Sequence, residues 1–183
     1  MIRALILLLL GLCTSCGYRF GRGEILERYS TVCVPYVEGD DQGVFTTTLI
    51  RTLTSRGSLT YSSYGSDLLL KVCLFAPSDV NIGFAYAPKR GGEFTHIVVS
   101  NEARLTLNAR VTLMDRRTGA CILGPLQIAT SIDYDFEPDL SDLNANAFSL
   151  GQLEMHNLAQ DAAYPPLYNL LAEKIVDYVS CAW

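Results

Sequence analysis

The sequence predicts an α+β fold, a two-layer sandwich in which helices pack on one face of a mixed β-sheet of about four strands. Residues 102–113 alternate between apolar and polar side chains, which is typical of a strand with one buried and one solvated face. Residues 43–56 and 150–178 instead repeat their apolar residues at helical spacing. Because a helix with one apolar stripe needs an apolar partner, we expect the helices to cover the apolar face of the sheet.

The first half of the chain contains three further predicted strands. Residues 31–37 are rich in valine, and residues 67–76 place alternate apolar side chains on one face. After Pro77 the apolar alternation resumes over residues 80–86, so this segment is a strand with a break that stops at the turn of residues 87–92. If the strands at 31–37 and 67–76 are parallel, the helix between them makes a right-handed crossover.

Residues 43–56 predict a helix because Phe45, Leu49 and Leu53 recur at every fourth position. Threonines lower the helix propensity of this segment, so packing must hold the helix in place. Asp41 is the predicted N-cap.

The strand at residues 102–113 predicts a hairpin with the segment that follows it. Residues 115–119 form the turn, with Gly119 available for a positive φ, and residues 126–136 form the next strand. Four residues of the first strand are predicted to face away from the helices: Arg104, Thr106, Asn108 and Arg110.

The C-terminal region predicts helix on either side of two prolines. Leu150, Leu153, Leu158 and Ala162 make a loose apolar stripe, and Leu167, Leu171, Ile175 and Tyr178 make a firmer one. Pro165 and Pro166 lie between the stripes, and they either kink one long helix or, more simply, start a second helix at its first turn.

Residues 1–17 read as a secretory signal. One positive residue, Arg3, precedes an apolar run over residues 4–12, and small residues precede Cys16. At about 1.5 Å per residue this run is too short to cross a hydrocarbon core of roughly 30 Å as a helix. The end of the run resembles a bacterial lipoprotein signal, in which the cysteine after the cut is lipidated, here Cys16. Acylation there would hold the protein stably on a membrane.

These boundaries divide the chain into a signal peptide at residues 1–15, a lipidated tether at 16–30 and one domain at 31–183. Removal of the signal takes away Arg3 and leaves 168 residues with 13 basic and 19 acidic side chains, a formal charge of −6. A chain of this length buries a substantial core. The net acidity and the absence of a basic run argue against nucleic acid as a partner.

Four cysteines remain besides Cys16, and their wide spacing matches no zinc motif: Cys33, Cys73, Cys121 and Cys181. Outside the cytoplasm an even number of cysteines can form disulfides. Free thiols in strands and a helix are an equally good interpretation.

No catalytic or metal-binding constellation is evident, so we predict neither an enzyme nor a cofactor. His96 and His156 do not belong to metal-spaced clusters. A hydrolase would require a deep pocket that contains His156 with a nearby serine and aspartate. Four carboxylates follow one another without the glycine and glutamate of a calcium loop: Asp133, Asp135, Glu137 and Asp139.

Six features occur in a characteristic order along nearly the whole mature chain: Cys16-Gly17-Tyr18, the strand TVCVPYVEG, a helix ending at Arg56-Gly57, Ser66 to Leu70, the long alternating strand closing on Asp115 to Gly119, and a helical tail. In this order the sequence resembles the LptE family, the lipopolysaccharide-assembly lipoproteins once called rare lipoprotein B. The fold that this resemblance implies, helices on one face of a four-stranded sheet, coincides with the fold predicted from periodicity.

The resemblance implies an outer-membrane lipoprotein that faces the periplasm, plugs the lumen of the LptD β-barrel, supports barrel assembly and contacts lipopolysaccharide. An alternative class is a periplasmic lipoprotein of similar fold that acts as an adaptor for a peptidoglycan enzyme or a secretion pore. Such an adaptor would share the anchor and the first strand–helix–strand unit.

The resemblance also implies basic residues that meet lipopolysaccharide, including one in the turn after the second strand, where Lys89 and Arg90 lie. A further basic residue near the start of the C-terminal helix has no counterpart, because residues 133–160 contain no lysine or arginine. Phosphates prefer bidentate guanidinium donors. The candidate contacts are therefore Lys89, Arg90, Arg104, Arg110, Arg116 and Arg117.

Overall fold

A computed structural model describes residues 28–56, 59–88, 94–136 and 150–180. Two helices are present in these residues, α1 at Val44–Arg56 and α2 at Leu150–Ser180. Six strands form one sheet: β1 at Thr31–Cys33, β2 at Thr60–Tyr61, β3 at Leu68–Leu74, β4 at Ser78–Pro88, β5 at Phe94–Asp115 and β6 at Cys121–Asp135. The predicted α+β class is confirmed.

Strand β5 is the centre of the sheet. On one side it pairs antiparallel with two strands that lie end to end, β4 along residues 94–106 and β3 along residues 109–115. On the other side it pairs antiparallel with β6. The Phe75 amide donates to the Asn108 carbonyl at 2.9 Å and keeps β3 and β4 in line. The predicted strand with a break is therefore confirmed. Six strands are assigned rather than about four because this break divides one strand and because the two-residue β2 was not predicted.

The first strand–helix–strand unit is parallel, as the crossover prediction requires. Strand β1 pairs parallel with β3 and also with β2. The ladder between β1 and β3 ends at Cys33. Farther along the chain, a single parallel bridge joins Glu38 to Cys73 of β3.

The core lies between the inner face of the sheet and the two helices. Alternate residues of β5 from Ala103 to Leu113 are buried, and Leu167, Leu171 and Ile175 of α2 are fully buried against them. Phe45 and Leu49 of α1 complete the helical layer. The opposite face of β5 is open, so the prediction of helices on one face is confirmed.

Strand β5 is longer than the predicted 102–113 segment, and its first part forms a projecting hairpin. Strand β6 ends at Asp135, opposite Glu102. Beyond this point residues 83–88 of β4 and 94–101 of β5 pair only with each other among the described strands, and we call these residues the arm. A bulge marks the base of the arm at Gly83, where an added Cβ would lie 2.5 Å from the Glu102 Cβ.

Helix α1 begins with a different cap from the predicted one. The Asp40 Oδ2 accepts hydrogen bonds from the Thr46 amide and the Thr46 hydroxyl, each at 2.7 Å. Asp41 is exposed. The prediction of Asp41 as N-cap is wrong. The turn before α1 instead places the carboxylate of Asp40 against a free amide in the first turn of the helix.

Helix α2 runs through both prolines, so the simpler expectation of a second helix starting there is wrong. The buried Ala163 and Leu167 on either side of the prolines hold both halves against the sheet. The loose stripe predicted for the first half is not part of the core, since Leu153 and Leu158 are 57% and 61% exposed. This half meets the sheet through the polar side chains of His156 and Gln160 instead.

The three described cysteines, Cys33, Cys73 and Cys121, are free thiols. Cys33 pairs with Leu69, and Cys73 lies four residues farther along β3, about 13 Å away at the usual rise of a strand. That separation is beyond the reach of a disulfide. Cys181 lies outside the described residues.

Candidate functional site

The predicted lipopolysaccharide contacts are spread along the whole length of β5. Arg116 and Arg117 directly follow its last residue, whereas Lys89 and Arg90 lie outside the described residues, between β4 and β5 in the chain. Strand β5 has 22 residues, so at about 3.3 Å per residue its ends lie up to about 70 Å apart. The candidate residues therefore form several separate groups and not one cluster.

Arg104 is held by a carboxylate on the neighbouring strand. Its Nε and Nη2 donate to Oδ1 and Oδ2 of Asp133 at 2.6 and 2.8 Å, and the two residues are direct partners in the register of β5 and β6. The hydrogen bond from Arg104 lowers the pKa of Asp133, and the same contact raises the pKa of Arg104. Asp133 therefore occupies the Nε and Nη2 edge of this guanidinium, which leaves a phosphate only the remaining N–H donors unless it displaces Asp133.

Arg110 is more available. Its side chain is exposed on the outer face of the sheet, and its Cζ lies 5.1 Å from the centroid of the Phe75 ring, a cation–π contact. Within the described residues it makes no ion pair. Its cross-strand neighbours are Cys73 and Gln127, neither of which carries a charge to compete with an anion.

The turn that carries Arg116 and Arg117 is built on Asp115. The Asp115 Oδ1 accepts from the amides of Arg117 at 2.8 Å and Thr118 at 3.0 Å, and Gly119 has the predicted positive φ, at 72°. The bond from the Thr118 amide is the largest cause that lowers the pKa of Asp115, while burial opposes it. Arg116 and Arg117 are both exposed at this tip.

The tip lies beside the first described residues. The Tyr29 hydroxyl donates to Asp115 Oδ2 at 3.1 Å, and the Arg116 amide donates to the Asp67 carbonyl at 2.9 Å. The Asp67 carboxylate in turn accepts from the amide and hydroxyl of Thr31, at 3.1 and 2.8 Å. The polypeptide that leads from Cys16 thus enters the domain at the Arg116 and Arg117 end, opposite the arm.

Sequence reasoning missed a row of exposed apolar side chains on the hairpin of β4 and β5. Phe84 and Tyr86 are 63% and 60% exposed, and Val98, the cross-strand partner of Tyr86, is 54% exposed. Val80, opposite Arg104, is 55% exposed. The alternation over residues 80–86 predicted the strand but not its exposure, because the extension of β5 beyond the end of β6 was not predicted.

A polar junction fixes the base of this hairpin. The Asp79 Oδ2 accepts from the Tyr134 hydroxyl at 2.8 Å and from Gln160 Nε2 at 3.1 Å, and it lies 2.9 Å from His156 Nε2. The His156 ring also stands edge-on to Phe136 at 4.7 Å between centroids. Burial, followed by the bond to Asp79, raises the pKa of Tyr134. Asp79 therefore joins β4, β6 and α2.

The family model for lipopolysaccharide assembly, LptE, matches residues 29–179 of the chain. This chain belongs to the LptE family. It is accordingly placed among the lipoproteins of lipopolysaccharide assembly and envelope biogenesis. No curated protein matches its sequence significantly.

Solved structures support the LptE fold. A minor lipoprotein from Acinetobacter baumannii is 16% identical, with a TM-score of 0.50 over 83% of this chain and 91% of that one. An uncharacterized lipoprotein B from Nitrosomonas europaea is 11% identical, with a TM-score of 0.53 over 83% of each chain. At these identities the likeness shows the fold alone.

Two of the residues considered for catalysis and metal binding, His156 and Asp133, have other partners in this LptE-family chain. Glu137 and Asp139 lie outside the described residues. No serine hydroxyl is hydrogen-bonded to His156 in the described part of the chain, where Asp79 and Tyr134 surround its ring. Asp133 is bound to Arg104. The described ranges contain no group of three histidine, cysteine or acidic residues placed to hold a metal ion. They also contain no helix that combines the length and apolarity of a membrane span.

Proposed function

We propose that this chain is lipidated at Cys16, works at the periplasmic face of the outer membrane, and fills the lumen of an LptD-like β-barrel that it helps to assemble. In the same position it contacts lipopolysaccharide on its way to the surface. The role is structural and not enzymatic.

The outer face of the sheet is the observation that carries the proposed barrel contact. Its central row along β5 is polar, with Thr106, Asn108 and Thr112 partly exposed and Arg104 and Arg110 exposed. The lumen of an outer-membrane barrel is polar, so a plug needs a hydrophilic surface against it. A sheet with one face buried under helices and a polar row along the centre of the other face meets this need.

The tether sets the orientation that we propose. Eleven residues lie between Cys16 and Arg28, so the two are at most about 40 Å apart along an extended chain. The tip with Arg116 and Arg117 therefore stays within reach of the anchoring leaflet, and the arm points away from it.

The arm is the proposed contact for lipopolysaccharide. Phe84, Tyr86 and Val98 offer exposed apolar surface, and Lys89 and Arg90 follow β4 in the sequence. An amphiphile with acyl chains and phosphates suits both kinds of group. Arg110, and Arg104 through the donors that Asp133 does not use, can bind phosphate along the same face. Arg116 and Arg117, at the opposite end of β5, would bind a separate phosphate group.

Co-purification tests the barrel partner. The full chain with a C-terminal tag is expected to bring down a large β-barrel protein from solubilised outer membranes. Recovery of a peptidoglycan synthase or a homo-oligomeric ring without a barrel would contradict the proposal and support the adaptor class. An unmodified Cys16 thiol in the mass spectrum of the purified chain would remove the anchor.

Charge replacement tests the lipopolysaccharide contact. Exchange of Lys89 and Arg90 for alanine and glutamate is expected to weaken lipopolysaccharide binding by the purified chain, because phosphates lose their cationic partners. Arg51→Ala is the matched control, since Arg51 is exposed on α1, away from the outer face. Unchanged affinity of the double variant would exclude this turn from the site.

A further inference from the structure

A groove of about 790 Å³ lies at the point where β3 gives way to β4. Its walls are the loop before α1, the connection between β3 and β4, and the middle of α2 around Pro165. Its volume falls within the usual range of ligand pockets. It shares none of the residues proposed above to contact lipopolysaccharide.

Three aspartates are among the residues that line the groove: Asp40, Asp41 and Asp161. Asp40 is only 4% exposed. Its Oδ2 accepts both bonds from Thr46, whereas its Oδ1 has no hydrogen-bond donor among the described residues. A buried carboxylate oxygen without a donor is costly, so this atom favours a ligand that donates hydrogen bonds.

Helix α2 adds further acceptors and an aromatic wall. Pro165 has no amide hydrogen for the carbonyl of Asp161, four residues earlier, so that oxygen lacks its helical partner. Tyr164 and Tyr168 line the groove with their rings 5.6 Å apart, and their hydroxyls have no hydrogen-bond partner in the described part of the chain. Burial raises the pKa of both tyrosines, and the negative charge of Asp161 raises that of Tyr164 further. Both hydroxyls therefore stay protonated and neutral.

No lysine or arginine lines the groove. Two arginines lie near it, but neither is among its lining residues. Arg51 donates a hydrogen bond of 3.5 Å to Asn169, which follows Pro165 on α2. Arg110 lies over the Phe75 ring on the outer face. The negative charge of the three carboxylates thus has no cation among the lining residues.

We propose that this groove binds an arginine side chain presented by a segment of a partner polypeptide. A guanidinium supplies several donors in one plane, matches carboxylates in pairs and stacks on aromatic rings, and the groove offers carboxylates beside two tyrosines. The apolar lining from Val44, Leu74 and Pro77 accommodates neighbouring apolar residues of the same segment. The inference goes beyond the proposed function, since it names a second contact and does not require lipopolysaccharide.

The test uses two capped tripeptides, Leu-Arg-Leu and the uncharged isostere Leu-citrulline-Leu. The full chain in detergent carries ¹³C-labelled tyrosine rings, and Tyr164→Phe and Tyr168→Phe variants assign the two ring signals. The arginine peptide is expected to shift both signals in a saturable way, and the citrulline peptide is expected to leave them in place. Asp161→Asn is expected to weaken binding by about two- to fivefold, the value of one exposed ion pair.

Asp135→Asn is the matched control, because Asp135 is an exposed aspartate at the end of β6, outside the groove. It should bind the arginine peptide as the parent chain does. Equal shifts with both peptides, no shift with either, or unchanged binding by Asp161→Asn would each overturn the proposal. Shifts with spermidine but not with the arginine peptide would also overturn it and would indicate a small polycation instead.

Discussion

Single carboxylates determine the local geometry of this protein at three places. Asp115 shapes the turn after β5, Asp67 ties β1 to the start of β3, and Asp40 caps α1. Each accepts hydrogen bonds from amides that the local backbone leaves free. Their common role is to satisfy amides at the ends of strands and helices, where the regular hydrogen-bond pattern stops.

The pH dependence of stability tests the role of Asp115 and Asp67. Amide and hydroxyl donors lower the pKa of both groups below the ordinary value of 3.8. The ionised carboxylates therefore stabilise the fold above about pH 4, and this contribution is lost as the pH falls through their folded-state pKa values. Thermal unfolding is expected to move to lower temperature between pH 5 and pH 2 in the parent chain, and less steeply in Asp115→Asn.

Asp135→Asn is the control for that comparison, since the same loss of charge at an exposed position should leave the slope unchanged. Identical pH profiles of the parent chain and Asp115→Asn would show that the turn does not depend on the ionised carboxylate.

At the scale of elements, the two halves of α2 have different tasks. The second half supplies the core, and Leu171 is fully buried. The first half presents Leu158 to solvent and holds the base of the arm through His156 and Gln160. A continuous helix links the core to the arm although two prolines interrupt its hydrogen bonds.

Alanine variants of one leucine in each half of α2 test whether the two halves contribute differently to stability. Leu171→Ala is expected to lower the free energy of unfolding by about 2–5 kcal/mol, because it removes a fully buried side chain from between helix and sheet. Leu158→Ala is expected to change it by less than about 0.5 kcal/mol. Urea unfolding of both variants checks the difference, and similar losses would contradict the burial assigned to the first half.

Removal of the junction tests how the arm is held. Asp79→Ala takes away the acceptor shared by Tyr134 and Gln160 and is expected to cost about 1–3 kcal/mol. Hydrogen exchange of β4 amides should accelerate, while exchange in β3 should not. Uniform acceleration in both strands would show that Asp79 supports the whole sheet and not the arm in particular.

Sequence reasoning predicted the elements whose pattern is local. The alternation of β5 and the spacing of α1 follow from one buried face, and both are confirmed. The exposure of Phe84 and Tyr86 could not be predicted, because it depends on where β6 ends relative to β5. The bond of Arg104 to Asp133 depends on strand register, and that of Asp79 to His156 joins residues 77 positions apart. Such contacts leave no periodic signal in the sequence.

At the scale of the whole molecule, the chain has two ends and two faces. Tyr29 and the tip with Arg116 and Arg117 lie at one end, and the arm lies at the other. Helices cover one face of the sheet, and the other face carries the polar row of β5 and the exposed apolar side chains of the β4–β5 hairpin. Membership of the LptE family gives this arrangement its context in lipopolysaccharide assembly, and the groove beside Pro165 adds a place for a partner between the two ends.

Photo-crosslinking from the outer face tests the central claim most directly. A photoreactive residue at Asn108, in the middle of the polar row of β5, is placed in the full chain and irradiated in intact cells. The account predicts a covalent adduct with a large outer-membrane β-barrel protein that depends on irradiation. Adducts only between copies of this chain, or with a soluble periplasmic enzyme, would contradict it.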